Sequence, residues 1–293
     1  MSNANTTTPV FLITGASSGF GEAIAREALA RGHHVIATAR SKARLADLES
    51  AGAAVLDLDV TSDEATLAAV LAEASRVHGR ITHVVNCAGY LLEGAVEEAS
   101  AKEAFDVFNT NVLGTCNVAR AAAPYLRAAA KVPGQMAALA TFGSLGNCST
   151  KYAVSGLTEG LAEELRPFGV DVCCFEPGYT RTGFLANGEG GGGDHRVKTA
   201  RQLDVYHDTE AAKMRGALDV YNGQQPGDVV KCARVIVDVL TKEGVAKGRE
   251  VPVRLALGSD CVDVVRAKCE SSLKLLKEWE EVSVSTMRDS DGQ

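Results

Sequence analysis

Short runs of consecutive apolar residues alternate along the chain with longer amphipathic stretches. That texture predicts strands buried on both faces, each followed by a helix that covers one of them. Val10–Thr14 predicts a first strand and Gly19–Arg31 its helix, and His34–Ala39 predicts the second strand. A helix over Lys42–Glu49, a strand over Ala54–Leu58, a helix over Thr61–Val77 and a strand over His83–Asn86 follow. The next helix is long, Phe108–Ala130, with a kink expected at Pro124. Met136–Thr141 and Val170–Phe175 predict two more strands. Helices over Ala200–Tyr221 and Asp228–Leu240 and a last strand at Val251–Arg254 complete the alternation. Ser259 is placed to cap a terminal helix running to about Val282. This order predicts an α/β protein with one domain over residues 10–282, a Rossmann-type doubly wound parallel sheet with a C-terminal helical extension. The polar ends, 1–9 and 283–293, read as disordered or frayed. Asn187–Asp194 is too glycine-rich for regular structure. It reads as a surface loop or as the start of a flexible lid, 187–222, over a substrate.

Composition narrows the class. The 293 residues are 46% apolar and 23% charged, which suits one soluble α/β domain with a large core. The net charge of −7 and the lack of any Lys/Arg cluster argue against nucleic acid or an anionic membrane as a partner and leave a small molecule. The eight cysteines, at 87, 116, 148, 173, 174, 232, 261 and 269, show neither C-x-x-C nor a Cys/His metal spacing. They read as reduced, buried thiols of a cytoplasmic protein, with no metal site. Neither a signal-peptide pattern at the N-terminus nor an apolar run long enough for a membrane span is present.

Chemistry enters at Thr14-Gly15-Ala16-Ser17-Ser18-Gly19-Phe20-Gly21, between the first strand and its helix. Glycines there let the backbone turn tightly and approach a diphosphate, with the helix N-terminus facing its charge. Asp59-Val60, Asn86-Cys87-Ala88-Gly89, Asn111-Val112-Leu113-Gly114-Thr115 and Pro177-Gly178-Tyr179-Thr180-Arg181-Thr182 follow in order. With these motifs the chain resembles the short-chain dehydrogenase/reductase family. It is most similar to the NADP-preferring, 17β-hydroxysteroid-dehydrogenase-like branch, and Leu257-Gly258-Ser259-Asp260 and the long last helix suit the fungal type. The resemblance implies about seven parallel strands and a nicotinamide cofactor held by Gly15, Ser17, Ser18, Gly19, Phe20 and Gly21. It implies adenine at Asp59 and Val60, with Asn86, Ala88 and Gly89 ending the fourth strand. Pro177, Gly178, Tyr179 and Thr182 would cover the nicotinamide. A homodimer or homotetramer through the long helices is also implied. The cofactor type follows from Ala37-Thr38-Ala39-Arg40-Ser41, where no acid stands to accept from the ribose hydroxyls of NAD. Arg40 suits the 2′-phosphate of NADP(H).

The catalytic centre departs from the family. Its Tyr-x-x-x-Lys puts an acid and an ammonium on one helix face, so that the ammonium lowers the phenol's pKa. Tyr152 would meet Gly156 at the lysine position. The preferred alignment takes Lys151 as the lysine, in Lys151-Tyr152-Ala153-Val154-Ser155-Gly156-Leu157-Thr158-Glu159, holding the nicotinamide ribose. Asn147 then occupies the tyrosine site, and an amide does not titrate. Thr141 falls where the family carries serine, but five residues separate it from Asn147, a much shorter loop than the family's. Asn111 matches the active-site asparagine of the long helix and would support a proton relay through water.

Three readings stay open. One is NADPH-dependent carbonyl reduction or alcohol oxidation of a small apolar molecule, such as a specialised metabolite. In it Thr141 and Asn147 orient the substrate oxygen, and Thr141, Ser144 or water serves as proton donor. Another is a cyclisation, isomerisation or dehydration on the same scaffold. The third is an inert cofactor-binding scaffold.

Overall fold

A computed structural model describes residues 7–144, 148–185 and 195–288. In its first strand, β1 (Val10–Thr14), Phe11 and Ile13 pack into one apolar cluster and Val10 and Leu12 into another. All four side chains are buried, as a strand covered on both faces requires. Along the chain follow β2 (His34–Ala39), β3 (Ala54–Asp57), β4 (His83–Asn86), the short β5 (Leu91–Glu93), β6 (Ala137–Phe142) and β7 (Val170–Pro177). The short β8 (Thr180–Arg181), β9 (Arg196–Lys198) and β10 (Gly227–Asp228) precede β11 (Arg254–Leu257). Seven strands form one parallel sheet in the order β11-β7-β6-β4-β1-β2-β3. Two short parallel pairs, β5 with β9 and β8 with β10, lie outside it.

The helices are α1 (Gly19–Ala30), α2 (Ala46–Ser50), α3 (Glu64–Val77), α4 (Ala101–Phe108) and α5 (Gly114–Ala130). After them come α6 (Ser149–Leu165), α7 (Glu210–Tyr221), α8 (Val229–Thr241) and α9 (Ser259–Val284). The Phe11 cluster takes its cover from α1, α2 and α8, and the Leu12 cluster from α3, α5 and α6. Strand order reverses between β1 and β4, so the loops leaving these two strands part and open a crevice at the carboxyl edge of the sheet. Among the described residues no helix is long and apolar enough to cross a membrane.

Several element bounds differ from expectation, each for a local reason. The last strand is Arg254–Leu257 rather than Val251–Arg254, since Pro252 has no N–H to give the ladder. Gly258, at φ 98°, occupies the cap position of α9, and Ser259 is already helical. Only Glu210–Tyr221 of the expected Ala200–Tyr221 helix is α-helical. Upstream of it the N–H groups of Thr199, Ala200 and Leu203 donate to the Glu93 carbonyl and to the carboxylates of Glu103 and Glu98. Helix α3 starts at Glu64 because Asp63 caps it, accepting the Thr66 N–H at 2.7 Å. The long helical run begins at Ala101, ahead of Phe108, behind a Ser100–Glu103 capping box, and Pro124 lies within α5. Cys173 and Cys174 do alternate faces: Cys173 joins the Phe11 cluster while the Cys174 thiol sits 3.7 Å from Ser155 Oγ of α6. The other thiols are less uniform than expected, since Cys87, Cys116, Cys148 and Cys232 are only half-buried and Cys269 is exposed. The glycine-rich stretch 187–194 lies outside the described residues.

One buried polar group makes stability depend on acid. His83 opens β4 fully buried, stacked 4.6 Å from Phe11. Its Nε2 donates to the Leu240 carbonyl at 3.0 Å, which leaves Nδ1 to accept from the Thr82 hydroxyl at 2.7 Å. The neutral ring is therefore satisfied, and burial pushes its pKa down to about 4. Because the unfolded chain binds this proton at higher pH, stability falls as pH drops from about 6.5 towards about 4, by roughly 3 kcal/mol. In His83→Gln that part of the acid loss should be absent. Urea midpoints for both proteins between pH 7 and pH 4 measure the difference, and parallel curves would refute it.

Candidate active site

The crevice is floored by glycine. Gly15 and Gly19 have φ of 62° and 57°, a region side chains rarely enter. A Cβ on Gly15 would lie 2.8 Å from the backbone of Ala88, so the turn after β1 passes directly against the segment leaving β4. A Cβ on Gly21 would collide with the Gly15 carbonyl. The Thr14 hydroxyl fastens the two segments, accepting the N–H groups of Cys87 and Ala88 at 3.2 and 3.3 Å. Ser18 stands at the cap of α1, where its carbonyl accepts the Glu22 N–H but its side chain makes no cap bond. At the end of β4, Asn86 is 4% exposed, and neither end of its amide has a partner among the described residues. Buried amides are nearly always paired, so an orphan at a crevice floor fits a ligand that brings its own polar groups.

Outside the glycine turn, Arg40 leaves the end of β2 exposed and makes no ion pair among the described residues. The Asp59 carboxylate accepts the N–H and hydroxyl of Thr61 at 2.9 and 2.7 Å, while Val60 is buried against Gly114. On the Pro-Gly segment, the Gly178 N–H donates to the Leu257 carbonyl at 2.8 Å and the Tyr179 N–H to Asp260 Oδ2 at 2.6 Å. That segment returns to the turn, with Thr182 in contact distance of where a Gly19 Cβ would be.

Asn111 lies in a single π-helical turn, Asn109–Leu113, between α4 and α5. Such turns recur at functional sites because they rotate one side chain out of helical phase. The Asn111 Nδ2 donates to the Tyr90 carbonyl at 2.8 Å and to Thr150 Oγ1 at 3.0 Å, and Oδ1 accepts the Tyr90 N–H at 3.0 Å. Lys151 comes from α6, its Nζ donating to the Phe142 carbonyl at 3.1 Å. Both converge on Gly89, where a Cβ would lie 2.9 Å from Asn111 Oδ1 and 3.7 Å from Lys151 Nζ. Burial pushes the Lys151 ammonium down, against the pull of the Cys148, Cys87 and Cys174 thiols, and it pushes the Cys87 thiol up.

Helical phase separates the two alignments. Tyr152, one residue on, is half-exposed with Lys268 Nζ 5.9 Å above its ring, turned away from Asn111 and Lys151. Thr141 does not serve the site either. It is fully buried and its hydroxyl shares a 2.7 Å hydrogen bond with Thr158, because that position of β6 faces α6. Ser144, past Gly143, is the residue that the end of β6 brings to Lys151, its N–H donating to the Lys151 carbonyl at 3.3 Å. Asn147 lies outside the described residues. Sequence patterns gave no sign of Thr150, nor of Cys148, whose Sγ is 3.4 Å from Thr150 Oγ1. Only their places beside Lys151 in the chain could have hinted at them. Asp260 is in a quoted motif, but its bond to Tyr179 spans 81 residues.

The glycine floor predicts a contrast. Gly15→Ala should destabilise the protein by about 1–3 kcal/mol, from left-handed backbone and the approach to Ala88. Gly156→Ala, in mid-α6 with nothing near its missing Cβ, should stabilise by about 0.5–1 kcal/mol. Urea denaturation of the pair is the check, and equal effects would overturn it.

Comparison with known proteins agrees with this geometry. The family model for short chain dehydrogenases matches residues 9–189. The chain is 30% identical over 292 residues to an oxidoreductase of Penicillium decumbens, covering 93% of this chain and 91% of that protein. An oxidoreductase of Botryotinia fuckeliana is 30% identical over 290 residues, covering 95% of this chain and 99% of that one. A short-chain dehydrogenase from Streptomyces avermitilis has a solved structure that superposes with a TM-score of 0.82 at 34% identity, over 96% of this chain and 100% of that chain. A 3-ketoacyl-(acyl-carrier-protein) reductase from Brucella melitensis, solved with NADH, shares the fold at 21% identity and a TM-score of 0.65, over 87% of this chain and 98% of that one. The matched segment contains the glycine turn, Asn111 and Lys151, and this chain belongs to the short-chain dehydrogenase family of oxidoreductases.

Proposed function

We propose that this protein binds NADP(H) in the crevice and interconverts a carbonyl and an alcohol on a small apolar molecule, without a tyrosine acid. The observation that carries the reading is the convergence of Asn111 and Lys151 on Gly89, beside a glycine floor with an orphaned Asn86 amide. The Brucella relative holds NADH in the same fold. For this chain the phosphorylated cofactor is favoured by Arg40, exposed and without an ion pair among the described residues, where NAD sites keep an acid. When bound, the dinucleotide supplies or accepts the hydride. Gly15, Gly19 and Gly21 would bring backbone to the diphosphate, Lys151 would hold the nicotinamide ribose, and Thr182 would close from the Pro-Gly side.

The chain must still move a proton at the substrate oxygen. An Asn147 amide cannot release one. Lys151 can: an ammonium held below its ordinary range gives up its proton more readily. Ser144 beside it, or a water held on the Asn111–Thr150 pair, completes the path. Losing a positioned acid typically slows such a step about 10²–10⁴-fold, so turnover should be slow. The absence of tyrosine also keeps a second reading, non-redox isomerisation or cyclisation around Lys151.

Stereospecifically deuterated NADPH separates the two. The redox reading expects deuterium in the product with equimolar cofactor oxidation, and product formed without label or cofactor consumption would overturn it. For cofactor choice, Arg40→Ala should weaken NADPH binding roughly ten- to hundredfold, the worth of charge-assisted hydrogen bonds. It should leave NADH binding nearly unchanged. Equal losses for both cofactors in titration calorimetry would remove the 2′-phosphate role.

A further inference from the structure

One residue outside every motif spans the crevice. His195 directly precedes β9 and reaches both loops that flank the β1–β4 gap. Its Nε2 lies 2.9 Å from Ser18 Oγ, in the turn after β1. Its carbonyl accepts the Leu91 N–H at 2.7 Å, soon after β4. The ring lies flat against Phe184, centroids 5.9 Å apart and planes 10° apart, so the Pro-Gly segment supports it from the third side.

This position is imposed from within. The next residue, Arg196, pairs with Glu93 at 2.5 Å and with Asp219 of α7 at 2.6 Å. The Arg196 and Glu93 side chains are 1% and 5% exposed. A pair this buried fixes the register of β9 on β5, because a slip would strand both charges without water. The Thr199 N–H, donating to the Glu93 carbonyl at 3.0 Å, holds the other end of β9. The clamp therefore delivers the imidazole to Ser18. Since Ser18 makes no cap bond to α1, its hydroxyl does not compete with an anion for the first amides of that helix.

We infer that His195 is a positioning residue of the dinucleotide site. By tying Ser18 to Leu91 it holds the glycine turn in place against the diphosphate and closes the crevice over that half of the bound molecule. The inference rests on the dinucleotide reading above. Arg40 follows β2, on the opposite side of β1 from β4, so the adenine half lies outside the bridge.

The test compares NADPH with adenosine 2′-monophosphate, which has the adenine and the 2′-phosphate but no part of the diphosphate and no nicotinamide. Calorimetric affinities are measured for wild type, His195→Ala, Ser18→Ala and the double variant. His195→Phe keeps the contact with Phe184 and lacks the nitrogen, so it carries the test where alanine impairs folding. His195→Gln restores a donor. Loss of the bridge should weaken NADPH about tenfold, the upper worth of one hydrogen bond. The 2′-monophosphate should change less than about twofold, and the double variant should be no weaker than either single one, as coupled partners require. His195→Gln should recover most of the affinity. Unchanged NADPH binding, equal weakening of both ligands, or multiplied effects in the double variant would overturn the role of His195 alone. Wild-type protein that binds neither ligand would overturn the dinucleotide reading, and this inference with it.

Discussion

With no side chain at Gly15, the turn after β1 runs in contact with the backbone of Ala88, and the crevice takes its shape from that approach. Thr14 accepts two N–H groups from the β4 loop across the same gap, so the two strand ends are stitched where their loops diverge. Two groups of candidate site residues hang from the two sides of this seam. Ser18 and α1 belong to the β1 side, and Gly89, Tyr90 and the asparagine they meet belong to the β4 side. A methyl group at position 15 would push them apart, against the pairing of both strands in the sheet.

The seam also explains which parts of the site were legible. Glycine spacing is a local requirement of backbone conformation, so Gly15, Gly19 and Gly21 announce themselves in the sequence. Lys151 follows from the match of Lys151–Glu159 to the family's motif, whose helical phase is another local signal. The structure supports that phase by turning Tyr152 outward under Lys268. Thr141 was misplaced for a nonlocal reason: strand alternation alone does not say that this hydroxyl will be taken by Thr158 across the sheet–helix interface. His195 and Thr150 were invisible on the same grounds, since each matters through one partner that only the folded chain brings near. The last strand shows a smaller failure, where an apolar run was allowed to outvote the missing N–H of Pro252.

Buried charge does a different task here from stabilisation. Glu98, 1% exposed, accepts the N–H groups of Ala95 and Leu203 and pairs with Arg215. Together with Glu93–Arg196 it fastens the described part of the expected lid, from 195 onward, to the loop that follows β4. Such pairs gain little net free energy over apolar packing but are strongly unfavourable to break one-sidedly. They suit a segment that must sit in one register. These pairs tie β9 and α7 to the loop that follows β4.

In the proposed function, holding a cofactor and delivering a proton share Lys151 and otherwise draw on different parts of the chain. The cradle would be made of backbone at Gly15, Gly19 and Gly21, of the Asn86 amide and of helix α1, at the ends of β1 and β4. The proton path would be made of Lys151, Thr150 and Asn111, tied to α6 and to the π-turn. Among the described residues, the hydrogen bonds that fasten the cradle, from the N–H groups of Cys87 and Ala88 to the Thr14 hydroxyl, do not involve α6. On the proposed reading, a chain without the family's tyrosine can therefore still hold a dinucleotide. Family membership speaks to what the crevice holds, and the chemistry must be judged from Lys151 and the groups that reach it.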